Sequence, residues 1–373
     1  MQNGAWRVAF VFCILHFAFC IYAKNGAYKS TLHGDPERGP QRRFDVPRGS
    51  CLQCHDQQAG DDRFAVNDNT LCFTCHSMPI WPQSAHAQDQ CVDCHDPHGV
   101  RDRDGVIAHM LAEREPQVCL RCHDGSRAAD IRSQLTKSYV HGARNRQAAC
   151  SDCHNVHEVI KDPAPSSTAP STRLAGVSRV QVVNGGANVI PGYRLAAAGD
   201  PGDPKEFEVC FKCHSSYAKQ PLGQSDLARL TNPVNASFHP IQAAGRNARI
   251  SPQAFVDGFG PESVITCSDC HEQHGSWFRY LLKKSQDDIC FDCHARDVYV
   301  DGSAGSRFNG HALHVIQKVE CFACHETHGS PRNAALIATG RFPGMNSYSQ
   351  SASGGNCTSS CHGLQSYTVS YPR

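Results

Sequence analysis

Twenty of the 22 cysteines fall into pairs, and each pair runs directly into a histidine. Nine have the form Cys-x-x-Cys-His: Cys51/Cys54/His55, Cys72/Cys75/His76, Cys91/Cys94/His95, Cys119/Cys122/His123, Cys150/Cys153/His154, Cys210/Cys213/His214, Cys267/Cys270/His271, Cys290/Cys293/His294 and Cys321/Cys324/His325. The tenth, Cys357/Cys361/His362, carries one extra residue between its cysteines. Two thiols about one helical turn apart reach the two vinyl groups of one porphyrin, and the adjacent histidine lies under the iron as proximal ligand. The motif therefore reads as covalent haem attachment. Zinc sites and redox disulfides also use paired cysteines, but neither requires a histidine directly after every second cysteine. The expected cofactor is haem c, ten copies, with the twenty cysteines as thioether positions and the ten adjacent histidines as proximal iron ligands.

Such a chain folds around its porphyrins. Charged residues make up 19%, and Gly and Pro number 30 and 21, a loop-rich composition with too few apolar side chains for a conventional core at 373 residues. The expected fold is mostly coil with short α-helices around the motifs and little sheet. The formal charge of +1 becomes acidic once ten haem groups add about −10 through their propionates. No basic stripe supports nucleic-acid binding.

The motifs alternate between two kinds. One has a second histidine three residues after the first: His98, His157, His274 and His328. The other follows an aliphatic residue, as in Leu71-Cys72-Phe73, Val118-Cys119-Leu120, Val209-Cys210-Phe211 and Ile289-Cys290-Phe291. Alternation gives five two-haem repeats, starting at Cys51, Cys91, Cys150, Cys267 and Cys321, and an elongated array in which each repeat meets its neighbours. Residues 24–160 would hold haems one to five and residues 209–373 haems six to ten. Between them, 161–208 opens as a Pro/Ser-rich surface segment. Its stretch 177–192 alternates apolar and polar residues around Asn184-Gly185-Gly186, which fits a small hairpin or a plain linker. Residues 161–183 are expected to ligate nothing and to lie outside the haem stack.

Residues 8–23 form an apolar run after one positive charge, the layout of a signal peptide cleaved after Ala23, or of an uncleaved anchor. Export suits haem attachment, so the expected location is the periplasm, an outer-membrane-associated position or the cell surface.

The alternation, with His274-Gly275-Ser276 and His328-Gly329-Ser330, resembles the doubled-CxxCH family of multihaem cytochromes c. Residues 209–217 and 235–240 are also similar to that family. The haem count resembles the decahaem cytochromes that pass electrons across outer membranes inside a porin-type barrel. The stretched tenth motif and the two insertions, 161–208 and 215–266, depart from that pattern. The resemblance implies partners that donate and accept electrons, such as other cytochromes or a quinol-linked membrane complex, and a barrel around the array.

An iron that only carries electrons has both axial positions filled, whereas an open position marks catalysis or gas binding. Apart from His16 and the ten proximal residues, eleven histidines remain: His33, His86, His98, His109, His141, His157, His239, His274, His311, His314 and His328. They meet ten sixth positions with one to spare. The downstream histidine of each pair is too close to its own proximal histidine to reach the far face of the same haem, so it is better placed to cap a neighbour. The first repeat has Gln58 where the others have a downstream histidine, and His109, nearest in sequence, is the expected substitute, with His311 or His314 as the alternative. Met78, Met110 and Met345 are fallback ligands. The leading reading is an electron carrier with no catalytic residues. A multihaem reductase of a small oxyanion with one open haem, and a subunit of an extracellular haem filament, are the rivals.

Overall fold

The computed structural model describes residues 27–55, 68–141, 148–161, 172–201, 204–219, 225–247, 250–300, 308 and 310–368. The expected signal peptide, with Cys13, Cys20 and His16, lies outside them, as does Gln58. The chain divides into two compact units, residues 1–132 with 156–160, and residues 133–155 with 161–373. The chain passes from one unit to the other after Arg132, after Asn155 and again after Ile160, where the 161–208 insertion begins.

Secondary structure is short because the motifs impose it. In nine motifs the histidine N–H donates to the carbonyl of the first cysteine at 2.9–3.0 Å, closing one helical turn. The turns Cys91–Cys94, Cys150–Cys153 and Cys267–Cys270 are sealed by the aspartate before the second cysteine. Asp93, Asp152 and Asp269 each accept the backbone N–H of the residue preceding the turn, at 2.7–2.9 Å, which satisfies an otherwise orphaned helix-start donor. In the second kind of motif the preceding aliphatic residue is an anchor: Leu71, Val118, Val209 and Ile289 are all buried.

Successive repeats are stitched by side chains near these anchors. Asn69 accepts the N–H of Cys91 at 2.7 Å, Glu206 that of Ser268 at 2.7 Å, and Asp287 that of Cys321 at 3.1 Å. Each bond caps the turn that opens the following repeat.

In the first unit Gln53 is the largest fully buried side chain among the described residues, and its amide substitutes for apolar packing. It donates to the carbonyls of Arg43 (2.9 Å) and Pro47 (3.1 Å) and accepts from the N–H of Arg43 (2.7 Å). In the second unit the 177–192 region forms a hairpin, Arg179–Val183 against Gly192–Ala196. Val180 on this hairpin is fully buried with Phe211 and Ala228. Phe211 belongs to the sixth motif, so residues 179–183 are packed onto the turn of that motif, and the expectation that 161–183 stands apart fails there. Residues 162–171 lie outside the described residues.

Sheet is more extensive at the C-terminus than expected. Met345–Ser351, Gly354–Ser359 and Gln365–Thr368 form a three-stranded antiparallel sheet with Gly354–Ser359 central. The tenth motif starts on it: Cys357 sits in the central strand opposite Tyr348 and Gln365. The extra motif residue lets the chain leave the strand. Ser360 donates its N–H to the Gly344 carbonyl at 2.9 Å, and its hydroxyl accepts the Gly344 N–H at 2.9 Å.

Among the described residues no helix is long and apolar enough to cross a membrane.

Candidate haem sites

The histidines come together in pairs. In the first unit His55 faces His98 (ring centres 5.8 Å apart), His76 faces His33 (6.0 Å), His95 faces His157 (5.9 Å) and His123 faces His86 (6.2 Å). In the second unit His154 faces His274 (6.3 Å), His214 faces His141 (5.9 Å), and His271 faces His328 (6.3 Å). There His294 also faces His239 (6.3 Å), His325 faces His311 (6.1 Å), and His362 faces His314 (6.2 Å). A metal bonded at about 2 Å to the outer nitrogen of each of two facing imidazoles sets their ring centres about 6 Å apart. Each of the ten pairs thus joins a motif histidine to a non-motif histidine at the spacing that admits one iron.

The pairing follows a rule. An upstream histidine faces the second motif histidine of its own repeat: His33, His86, His141, His239 and His314 do so in repeats one to five. A downstream histidine faces the first motif histidine of the preceding repeat: His98, His157, His274 and His328 face His55, His95, His154 and His271. The deficit falls in the fifth repeat, where His311 faces His325. His311 and His314 are both used, while His109 is outside every pair.

The structure gives His109 another place. It is exposed, at φ 57°, and its carbonyl faces Nδ1 of His95 at 3.0 Å. Tyr280 (φ 59°) and Ala335 (φ 54°) present their carbonyls to Nδ1 of His271 and His325 at 2.8 and 2.9 Å. The next residue is also left-handed in all three: Met110, Leu281 and Leu336. Arg173 serves His154 in the same way at 3.0 Å. His109 thus supplies backbone, at a position where later repeats have tyrosine and alanine. A carbonyl on Nδ1 fixes the tautomer and leaves Nε2 free to bind metal. Sequence reading missed this contact. Its one trace is an aliphatic pair, Met110-Leu111, Leu281-Leu282 or Leu336-Ile337, just beyond each carbonyl.

The upstream histidines are held by the following repeat. Nδ1 of His33 faces the Pro97 carbonyl at 3.3 Å, Nδ1 of His86 that of Val156 at 3.1 Å, and Nδ1 of His239 that of Thr327. Each of those carbonyls immediately precedes a downstream histidine. Burial disfavours the charged form of an imidazole, and the neutral form is the one that binds metal. His239 and His311 are pushed down to about 4 by burial, and His141, His214, His271, His294 and His325 are lowered for the same reason. Nδ1 of His123 and of His294 is buried without a hydrogen-bond partner.

Nineteen motif cysteines stand outside disulfides. The thiols also mark the order of the sites. Cys72 lies beside Cys91, Cys210 beside Cys267 and Cys290 beside Cys321, so within each unit the second motif of one repeat abuts the first of the next.

The motif cysteines differ in how far they are covered, and Cys75, Cys122 and Cys213 are among the more open ones. Cys75 and Cys213 are exposed. Cys122 is half-buried, and its sulfur accepts only a side-chain N–H of exposed Arg127, at 3.4 Å. All three are second cysteines of the second kind of motif. There the buried aliphatic residue, Leu71, Val118 or Val209, anchors the start of the turn. The second cysteine falls at the turn's far end, its N–H bonded back to the first cysteine at 3.1–3.2 Å. Cys153 and Cys270, seconds of the first kind, are more covered, and burial pushes their thiols up to about 11 and about 12. The paired rings and spaced thiols fit haem c. Met78, Met110 and Met345 are not needed as ligands in this arrangement.

The doubled CXXCH motif family matches residues 45–78, 84–128 and 261–299. These are repeats one, two and four. Repeat three is split by the 161–208 insertion, and repeat five ends in the stretched motif. The chain is similar to the multiheme cytochrome MtrA of Shewanella baltica, with 27% identity over 350 residues, 85% of this chain and 79% of the relative. It is also similar to the C-type polyheme cytochrome OmcB of Geobacter sulfurreducens, with 21% identity over 326 residues. That match takes in 75% of this chain and 40% of OmcB, so the chain spans less than half that relative's length. No solved structure matches.

Proposed function

Because the chain belongs to the doubled-CxxCH multihaem cytochromes c, we propose that it is an exported decahaem electron carrier of the periplasm or cell surface. The observation that carries this is the set of ten facing histidine pairs, one for every motif. In this reading the twenty motif cysteines hold ten haems, the motif histidines are proximal ligands, and His33, His86, His98, His141, His157, His239, His274, His311, His314 and His328 are distal ligands. Haem iron supplies one-electron chemistry.

The residues' part is to close and fix the sites. Two imidazoles per iron leave no position for a substrate, which favours a carrier over an oxyanion reductase. Nδ1 contacts to backbone hold the rings so that ligation need not rearrange. The thiol contacts between repeats favour transfer in chain order within each unit. The partners would be a donor and an acceptor redox protein, one of them a cytochrome or a quinol-linked membrane complex. Resemblance to the barrel-enclosed decahaem cytochromes supports a porin-type barrel as a further partner. The test is carbon monoxide addition to the fully reduced holoprotein, together with its intact mass. Ten haems and no carbon monoxide spectrum are expected. A wild-type haem that binds the gas would overturn the carrier reading.

A further inference from the structure

We propose that Asp96 and Glu326 are positioning residues that lower the potentials of the first and seventh haem sites by holding the distal imidazoles of His98 and His328. Most contacts to Nδ1 in these sites come from neutral backbone carbonyls, as at His33, His86, His95 and His154. His98 and His328 differ. Nδ1 of His98 lies 3.3 Å from a carboxylate oxygen of Asp96, and Nδ1 of His328 lies 3.4 Å from one of Glu326. Both carboxylates occupy the residue after a proximal histidine, in His95-Asp96-Pro97-His98 and His325-Glu326-Thr327-His328. The corresponding residue of the third repeat is Asn155, whose amide donates instead to the Gly176 carbonyl at 3.1 Å.

A second observation separates the same two sites from the rest. The ring planes of His55 and His98 are inclined by 6°, and those of His271 and His328 by 4°. The other eight pairs range from 14° to 59°. His98 and His328, each with a carboxylate beside Nδ1, are thus the two distal rings that lie most nearly parallel to their partners. A carboxylate orients a ligand ring and raises its basicity. It also places a negative charge beside the site. Both effects favour the ferric state over the ferrous one, so these haems should titrate at lower potential than they would with a carbonyl partner.

The carboxylates are held in place. Asp96 is buried and accepts the His98 N–H at 3.0 Å. Glu326 is clamped from its other oxygen by Arg341 at 2.6 Å.

The proposal rests on the pairing of His271 with His328 and of His55 with His98 about shared irons, and the test separates the two. Glu326→Gln in the full-length holoprotein is followed by spectroelectrochemical titration. A shift of one low-spin component to higher potential is expected, with all haems retained. Glu326 also neighbours His325, so the same change is made in a His328→Ala background, where the seventh site has left the low-spin titration. There it should move no low-spin component. An unmoved potential in the single variant, or a shift that persists in that background, would overturn the proposal. His328→Ala alone tests the pairing: without a new high-spin haem, the pairing itself fails. Asp96→Asn in wild type and in His98→Ala repeats the experiment at the first site and decides the matter if the Glu326 variant does not assemble.

Discussion

His239 donates its backbone N–H to the carbonyl oxygen of His328 at 3.0 Å. The two face different motif histidines, His294 and His271, so one hydrogen bond ties two candidate haem sites together. His141 and His274 repeat it at 3.3 Å. In each case a two-residue ribbon accompanies the bond, Tyr139–Val140 with Gly275–Ser276 and Ser237–Phe238 with Gly329–Ser330. The glycine is what admits the approach. A Cβ at Gly275 would stand 2.0 Å from the Gln134 carbonyl oxygen, and one at Gly329 1.9 Å from that of Leu230. The serine that follows then donates to the Leu282 or Ile337 carbonyl. This is the physical content of His-Gly-Ser in the sequence.

Gly275→Ala and Gly329→Ala should therefore each force the ribbon apart and cost about 1–3 kcal/mol, the usual range for overpacking. Thermal unfolding of the holoprotein would report the loss, and high-spin absorbance would report any ligand drawn away from its iron. Gly260→Ala, whose Cβ would meet nothing within 4 Å, serves as the control and should leave the transition almost unmoved. Equal effects at all three positions would contradict the close-approach argument.

Replacing His109 with alanine should keep every haem low-spin, because its contribution is a carbonyl that alanine also has. Ala335 already fills the equivalent place in the last repeat. His311→Ala and His314→Ala should each create one high-spin haem that binds carbon monoxide, at the ninth and tenth sites. Visible spectra of the reduced variants with and without the gas distinguish these outcomes. A high-spin haem in the His109 variant, or none in the other two, would restore the expectation drawn from sequence.

That expectation shows where sequence stops being legible. Haem attachment needs contiguous residues, so the motifs could be read directly. The number of axial ligands could be counted, since every histidine is visible in the chain. Which histidine serves which site depends on segments far apart, such as 137–141 meeting 274–276. Nearness to the incomplete first repeat favoured His109, but chain distance is a poor guide where each downstream histidine folds back onto the preceding repeat. The shortage falls in the fifth repeat, and the close pair His311 and His314 supplies it. The hairpin was readable from alternation around Asn184-Gly185-Gly186. Its docking was not, because Val180 meets Phe211 and Ala228 only in the folded chain. The C-terminal sheet was hidden by its polar strands, rich in Ser, Asn and Gln, which carry little apolar periodicity.

Val180→Ala tests the docking of the hairpin. Two methyl groups would leave a site that is fully buried, at a cost of about 2 kcal/mol from lost burial and the residual cavity. Because Phe211 belongs to the sixth motif, the loss should appear as earlier thermal unfolding of the second unit. Val183→Ala, on the same strand but exposed, should change the transition little. A Val180 variant with wild-type unfolding would mean that the hairpin is an appendage after all.

In the stretched motif, Cys357 lies within a strand, so the chain must turn out of the sheet before Cys361 and His362 can reach the same porphyrin. Ser360 makes that turn by exchanging two hydrogen bonds with Gly344, while the Ser359 hydroxyl accepts the N–H groups of Cys361 and His362, both at 3.1 Å. Deleting Ser360 would restore a Cys-x-x-Cys-His string but remove both bonds to Gly344 and shift His362 relative to His314. If spacing alone governed attachment, the shortened motif would load haem as well as the others do. If the sheet governs it, the tenth haem should be lost or left without its sixth ligand. Intact mass of the exported variant should then fall by one haem, or carbon monoxide should bind a single new site. A variant with ten low-spin haems would show that the extra residue has no part in building the tenth site.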